Sequence, residues 1–407
     1  MNGKREAGSY VEEAVELAEK AERGESVLHR SGFQVVQTAR SRMALEMGIF
    51  SRFHPLVAMG WKRWRHRISY SSVQDFNTCQ RMFFWKHVLR LNRSFLPSKA
   101  ALIGVLFHKL IENLTLKVRG GTRGTPNLEE MLKQANFAAA EFLQERMREV
   151  RTNTGVLADW IVEEATREAQ FAAAMVTGTW EDLERSKIVD LLADPEAELM
   201  TECLMGVRAG KLAGTIFGVA HGMEFIVRPD LVIRRKEGDV VLDFKTTSNS
   251  VEDFASVLLM DPQAWLYRLV MEALGYKVTE IRFVIVRKPT IRASSKETWR
   301  DFLERVVQWY RTKQEFEKVA VVRADPDYVN SAEWARWIGK VARFMNTRSL
   351  RLSDFPRTGV PKACLSVYGS RCPFYELCQA PPGALVDLIP AMYVQTEPKG
   401  VEDGDGD

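Results

Sequence analysis

Between Pro229 and Thr247 the chain sets charged residues where a dry sheet does not accept them. Pro229-Asp230-Leu231-Val232-Ile233 and Val240-Val241-Leu242-Asp243-Phe244-Lys245-Thr246-Thr247 are apolar stretches of strand length. Alternate residues of a strand share a face, so Asp243 and Lys245 point one way and Phe244 the other. Two charges on one face of an apolar strand are costly in a dry core, and they fit a face that opens into a cleft. The turn Lys236-Glu237-Gly238-Asp239 predicts a hairpin that returns Asp230 to the side of Asp243. Two carboxylates converging on one point form a hard-oxygen site suited to Mg²⁺ or Mn²⁺. Such an ion activates water and stabilises charge on a phosphate. Lys245 beside it is placed to orient or deprotonate that water.

The cysteines are the second constraint. Of five (Cys79, Cys203, Cys364, Cys372, Cys378), three fall within the last fifty residues, with seven and five residues between them. In a chain with no apolar leader such clustering reads as metal binding rather than as disulfides. Cys203 falls on an expected strand and reads as a small buried residue. No run of about 18 apolar residues suggests a membrane span. A net charge of +4 and a pI of about 8.7 suit a nucleic-acid partner without demanding one. Trp61-Lys62-Arg63-Trp64-Arg65-His66-Arg67 fits two descriptions: a surface for phosphates and stacked bases, or an amphipathic helix end whose indoles pack on the core. Arg228, Arg234 and Arg235 flank Asp230 and are placed to face a phosphate backbone.

Periodicity organises the rest. Residues 1–60 read as helical. A capping box at Ser71–Gln74 opens a helix to about Leu91, and a second spans Lys99 to Val118. After the loop 120–126, residues 127–193 form a helical tract with a break near Gly155. Segments 197–208, 214–220, 223–236 and 239–246 fit a β-meander. Asp261 as N-cap and Pro262 at the first helical position start a helix that ends near Gly275. A strand at 281–286 and helices at 296–318 and 331–346 follow. The tail beyond Glu397 reads as disordered. The sum is an α+β unit with a helical insertion and helical flanks.

Pro229-Asp230 with Asp243-Phe244-Lys245 resembles the signature of the PD-(D/E)xK nucleases. Alone the pattern is short and loosely spaced, but four further motifs fall in the order seen in the RecB-like and AddB-like subgroup. Ser69-Tyr70-Ser71-Ser72, Phe76, Cys79 and Phe83 resemble its opening helix. Gly104-Val105-Leu106-Phe107-His108 resembles its G-x-x-x-H motif, and Gln263-Ala264-Trp265-Leu266-Tyr267 its Q-x-x-x-Y motif. Cys79 with Cys364, Cys372 and Cys378 resembles its four-cysteine iron–sulfur staple, except that relatives have two residues, not seven, in the first gap.

The resemblance implies a restriction-endonuclease-like core, a central mixed sheet flanked by helices. It implies a nuclease domain over 67–380 with the insertion 127–193, an N-terminal helical extension over 1–66 and a tail over 381–407. The implied activity is metal-dependent DNA cleavage, by an exonuclease of recombination, repair or replication. Asp230, Asp243, Lys245, Gln263 and Tyr267 are its catalytic residues, and His108, Asp230, Asp243 and Phe244 its Mg²⁺ or Mn²⁺ set. The four cysteines hold a 4Fe–4S cluster, with zinc as the alternative. Implied partners are DNA ends or single strands and a helicase or recombination protein, in a prokaryotic or phage-infected cytoplasm. Glu202 is either a further metal ligand or a solvent-facing strand residue, and Glu112 shares the helix face of His108. The insertion, lying between the His and PD motifs, is expected to roof the site. The competing reading keeps the fold as a DNA-binding accessory without cleavage. No G-x-x-x-x-G-K-[ST] loop marks the chain itself as an ATPase.

Overall fold

A computed structural model describes residues 67–92, 96–121, 124–149, 158–212, 223–259, 261–312, 317–324, 331–345, 355–358, 364, 371–380 and 385–395. The expected helices of residues 1–60, the Trp61–His66 run, the break near Gly155, the segment 214–220 and the tail beyond Glu397 lie outside them.

The longer helices are α1 (Tyr70–Thr78), α2 (Lys99–Arg119), α3 (Leu128–Glu149), α4 (Asp159–Arg185), α5 (Val251–Leu259), α6 (Pro262–Ala273), α7 (Trp299–Arg311), α8 (Ser331–Met345) and α9 (Leu385–Met392). The strands are β1 (Arg67–Ile68), β2 (Glu198–Thr201), β3 (Met205–Arg208), β4 (Glu224–Val227), β5 (Leu231–Arg234), β6 (Asp239–Thr247), β7 (Val278–Arg287) and β8 (Val319–Ala324). Leu91–Asn92 also pairs with Val394–Gln395, which returns the C-terminal segment to the start of the chain.

Five strands form the central sheet in the order β2-β5-β6-β7-β8. The expected hairpin is there: β5 and β6 are antiparallel, with Leu231 opposite Leu242. β6 and β7 are parallel, Asp243 beside Phe283. A parallel pair needs a crossover, and α5 and α6 supply it. This is the expected mixed α+β architecture. The meander is corrected. The segments 197–208 and 223–236 each break in two, at Glu202 and at Arg228–Asp230. Their outer halves β2 and β5 join the central sheet, while β3 and β4 form a second sheet with β1 in the order β1-β4-β3. Period-two alternation continues across such a break, so it does not reveal that one stretch serves two sheets.

Three further boundaries differ. The capping box sits at Ser69, whose hydroxyl accepts from Ser72 N while Ser72 Oγ accepts from Ser69 N at 3.1 Å. The helix stops at Cys79, whose extended backbone (φ −162°, ψ 113°) ends α1 and opens the short helix Gln80–Phe83. A π-helical turn follows at Phe84–Val88. Within the expected helix 296–318, the described helix is α7, its C-cap at Thr312, and Val319–Ala324 forms the edge strand β8.

One face of the central sheet (Ile233, Leu242, Phe244, Val284, Val286) packs with α2, α3, α4 and α7 in one core. The other face (Val232, Val241, Phe283, Ile285) packs with α1, α5, α6, α8 and the small sheet in a second. Full burial of a side chain such as Phe244 contributes about 1.5–3 kcal/mol. Alternation along β6 puts Asp243 and Lys245 on the second face. The described insertion helices α3 and α4 pack with α2 in the first core, on the other face of the sheet from Asp243 and Lys245.

Candidate active site

The register that sets Leu231 opposite Leu242 sets Asp230, one residue before β5, beside Asp243. Phe244 N–H donates to Asp230 Oδ2 at 2.6 Å. Asp230 Oδ1 lies 3.2 Å from His108 Nδ1 on α2. Gly104, one turn before His108, lets that helix approach: a Cβ there would stand 3.2 Å from Thr246 Oγ1. His108 thus reaches the carboxylate because a small residue brings α2 against β6.

Glu202 completes this group. It occupies the break between β2 and β3 with φ 47°, a left-handed conformation that a residue with a Cβ holds only when its surroundings enforce it. Its N–H donates to Asp230 O at 2.9 Å, and its carboxylate pairs with Arg228 Nε at 2.7 Å. Ligand atoms of His108, Glu202 and Asp230 all lie within 4.8 Å of one another. Of the two readings of Glu202, the structure places it at the site and not on a solvent face. The adjacent Cys203 is half-buried in the same turn rather than on a strand, its thiol donating to Thr201 O at 3.4 Å.

Asp243 is buried and turns to other partners. Tyr267 O–H donates to Asp243 Oδ1 at 2.8 Å, and Asp243 Oδ2 forms an ion pair with Lys245. Gln263 Nε2 donates to Tyr267 Oη at 2.6 Å, so the two residues expected on one face of α6 act in line. The members of the anticipated metal set lie together. His108 and Asp230 meet Glu202, Asp243 stands beside them with Lys245, and Phe244 offers its amide to Asp230.

The electrostatics separate the two carboxylates. Burial opposes the charge of Asp230, but the His108 ring, Lys245 and the Phe244 amide outweigh it and hold its carboxyl below the ordinary range. Burial pushes Asp243 up, with Asp230 adding to the effect and Lys245 and Tyr267 opposing it. Burial acts against the charged form of Lys245, yet Asp243 and Asp230 raise its pKa and keep the ammonium. Burial also raises Glu202. Two neighbouring acids pushed apart, with a retained ammonium between them, are characteristic of reactive clefts.

Three of the basic residues named from sequence, Arg67, Arg228 and Arg234, form ion pairs. Arg67 pairs with Glu224 at 3.0 Å, and Arg234 lies 3.5 Å from both Glu198 and Asp239.

At the C-terminal end of α1, Cys79 lies in the neighbourhood of Cys364, Cys372 and Cys378. Cys372 N–H donates to Cys364 O at 2.8 Å, which brings the two cysteines flanking the seven-residue gap together. Burial raises the Cys372 thiol to about 11, and Cys378, Cys79 and Cys364 all lie close enough for their charges to add to it. Arg81 stands near Cys378 and Cys79. Burial raises the Cys378 thiol, and the nearby Trp85 indole and Arg81 guanidinium act against it.

Among the described residues no helix is long and apolar enough to cross a membrane. No curated protein matches the chain in sequence. A sequence model of the PD-(D/E)XK nuclease superfamily matches residues 67–379, a span that begins at β1 and takes in His108, Glu202, the β5–β6 hairpin, α6 and all five cysteines. With three quarters of its length inside that match and the carboxylates and lysine of the signature in one cleft, the chain belongs to the PD-(D/E)XK nuclease superfamily.

Proposed function

We propose that this nuclease is a divalent-metal-dependent deoxyribonuclease that works from DNA ends in recombination, repair or replication. The observation that carries the reading is the meeting of His108, Glu202 and Asp230 beside the Asp243–Lys245 pair. One nitrogen and several carboxylate oxygens fit Mg²⁺ or Mn²⁺. Bound there, the ion supplies Lewis-acid polarisation of the phosphate and a more acidic water. Asp230 and Glu202 would provide the anionic ligands, and His108 would bind through an unprotonated ring nitrogen. Asp243, held by Tyr267, faces the same point from β6. The Lys245 ammonium orients the attacking water by hydrogen bonding and stabilises negative charge building on the phosphate.

The same reading assigns a 4Fe–4S cluster to Cys79, Cys364, Cys372 and Cys378. Among the described residues no three of these sulfurs lie within 4.8 Å of one another. When bound, a cluster of this kind ties the ends of the domain together. The proposed partners are DNA ends or single strands and a helicase or recombination protein.

The test is cleavage of end-labelled linear and circular DNA, single- and double-stranded, with Mg²⁺ or Mn²⁺, comparing the protein with Lys245→Ala. Metal-dependent loss of linear DNA, spared in circles and abolished by Lys245→Ala, is the expected result. Binding without cleavage by the folded, metal-loaded protein would establish the accessory role instead.

A further inference from the structure

The parallel pairing of β6 and β7 continues one residue past β7, where Lys288 N–H donates to Thr247 O at 2.7 Å. The Lys288 side chain then crosses to the first turn of α2, and its Nζ donates to Ala100 O at 2.9 Å. Ala100, Gly104 and His108 follow one another on α2 at the spacing of one helix face. Gly104 lies against Thr246, and His108 against Asp230. Lys288, Thr246 and the His108–Glu202–Asp230 group therefore stand in a row along one helix. Ala100 and His108 are two helix turns apart, about 12 Å of rise. One strand of DNA covers that distance in roughly two to four nucleotides.

Charge along the row is uneven. Lys288 is half-buried, and among the described residues no carboxylate pairs with it. The neighbouring cation Lys99 is already paired, at 2.6 Å, with the buried Glu168. Beyond His108 in the other direction α2 presents Glu112, whose charge bears on Glu202. A half-buried ammonium without a counter-ion favours an anion, while a carboxylate repels one. The Lys288 ammonium has three protons to give, and Ala100 O takes one. Phosphates that flank the metal group are thus favoured on the Lys288 side and disfavoured on the Glu112 side.

We propose that Lys288 binds a non-scissile phosphate of the strand being cut, and so lays that strand along α2 from the metal group toward Ala100. The proposal rests on the nuclease reading above, and its test separates the two. Three full-length variants are compared with the unaltered protein. Lys288→Gln keeps a donor for Ala100 O without the charge, Lys288→Met removes both, and Lys288→Arg keeps the charge. Affinity for a labelled single-stranded oligonucleotide is measured with Ca²⁺ over a salt series. It is measured again with one phosphate at a time replaced by an uncharged methylphosphonate. Lys288→Gln and Lys288→Met are expected to bind roughly ten-fold more weakly, with the slope of log affinity against log salt reduced by about 0.7, one phosphate contact on a single strand. Lys288→Arg should bind as the unaltered protein does. One methylphosphonate position should weaken the unaltered protein by a similar factor and cost Lys288→Gln nothing further, because the two changes remove the same contact. Normal binding by Lys288→Gln, with the loss confined to Lys288→Met, would make Lys288 only a tether of α2 and overturn the proposal. An unchanged salt slope, or no position with such coupling, would overturn it too. Absence of cleavage with Mg²⁺ or Mn²⁺ by the unaltered protein would overturn the nuclease reading alone, because affinity, salt slope and methylphosphonate coupling are all read without cleavage.

Discussion

Phe244 gives its backbone N–H to Asp230 at 2.6 Å while its side chain, 1% exposed, fills the core on the opposite face of the sheet. One residue of β6 thus holds a carboxylate in place with its main chain and anchors the strand with its ring. Phe244→Ala is expected to destabilise the fold by about 3–5 kcal/mol in urea unfolding, through lost burial and the cavity left behind. Cleavage per folded molecule should survive, because the amide remains. A loss of activity without a loss of stability would contradict this division.

Glu202 is the ligand that local pattern left undecided. Glu202→Gln removes one anionic oxygen from the His108–Glu202–Asp230 group and releases Arg228 from its ion pair. Mn²⁺ affinity should fall roughly ten- to hundred-fold. Glu112→Gln, on the same helix as His108, should change it little. Equal losses in calorimetric titration of the two variants would place Glu112 in the metal set as well.

His87 predicts an acid-sensitive fold. Burial keeps its ring below the ordinary 6.5 although Asp75 Oδ2, 2.7 Å from Nε2, acts the other way. The unfolded chain therefore binds a proton near pH 6.5 that the native chain resists, and stability falls as pH drops below that value. Burial opposes the charge of Asp75, but His87 and Lys86 hold its carboxyl below the ordinary range, so its contribution is lost at still lower pH. Urea midpoints at about pH 7.5 and about pH 5.5 should differ in the unaltered protein and converge in His87→Gln. A midpoint that rises on acidification would reverse the assignment.

Loss of the cysteine-bound centre should be a stability event first. Cys372→Ala is expected to abolish absorbance near about 400 nm in anaerobically prepared protein and to lower the thermal midpoint. Cys203→Ser, in the turn beside Glu202, should leave the absorbance intact. Colourless protein with one bound zinc per chain would replace the cluster by a zinc site.

Local chemistry in the chain was enough for part of this structure. The alternation Asp243-Phe244-Lys245, the apolar strands on either side of a Gly-containing turn and the i, i+4 pairs Gly104–His108 and Gln263–Tyr267 each concern neighbours within one strand face or one helix turn. Periodicity reports such relationships directly, so the hairpin, α2, α6 and the superfamily signature were legible. The tertiary structure alone decided the rest. It divided 197–208 and 223–236 between two sheets, set Glu202 at the break with a left-handed backbone, turned Asp243 toward Tyr267 and brought the insertion behind α2. It also brought Cys79 near cysteines almost 300 residues away. Each of these depends on which distant surfaces pack together, a choice made by the summed burial of two cores and not by any spacing along the chain.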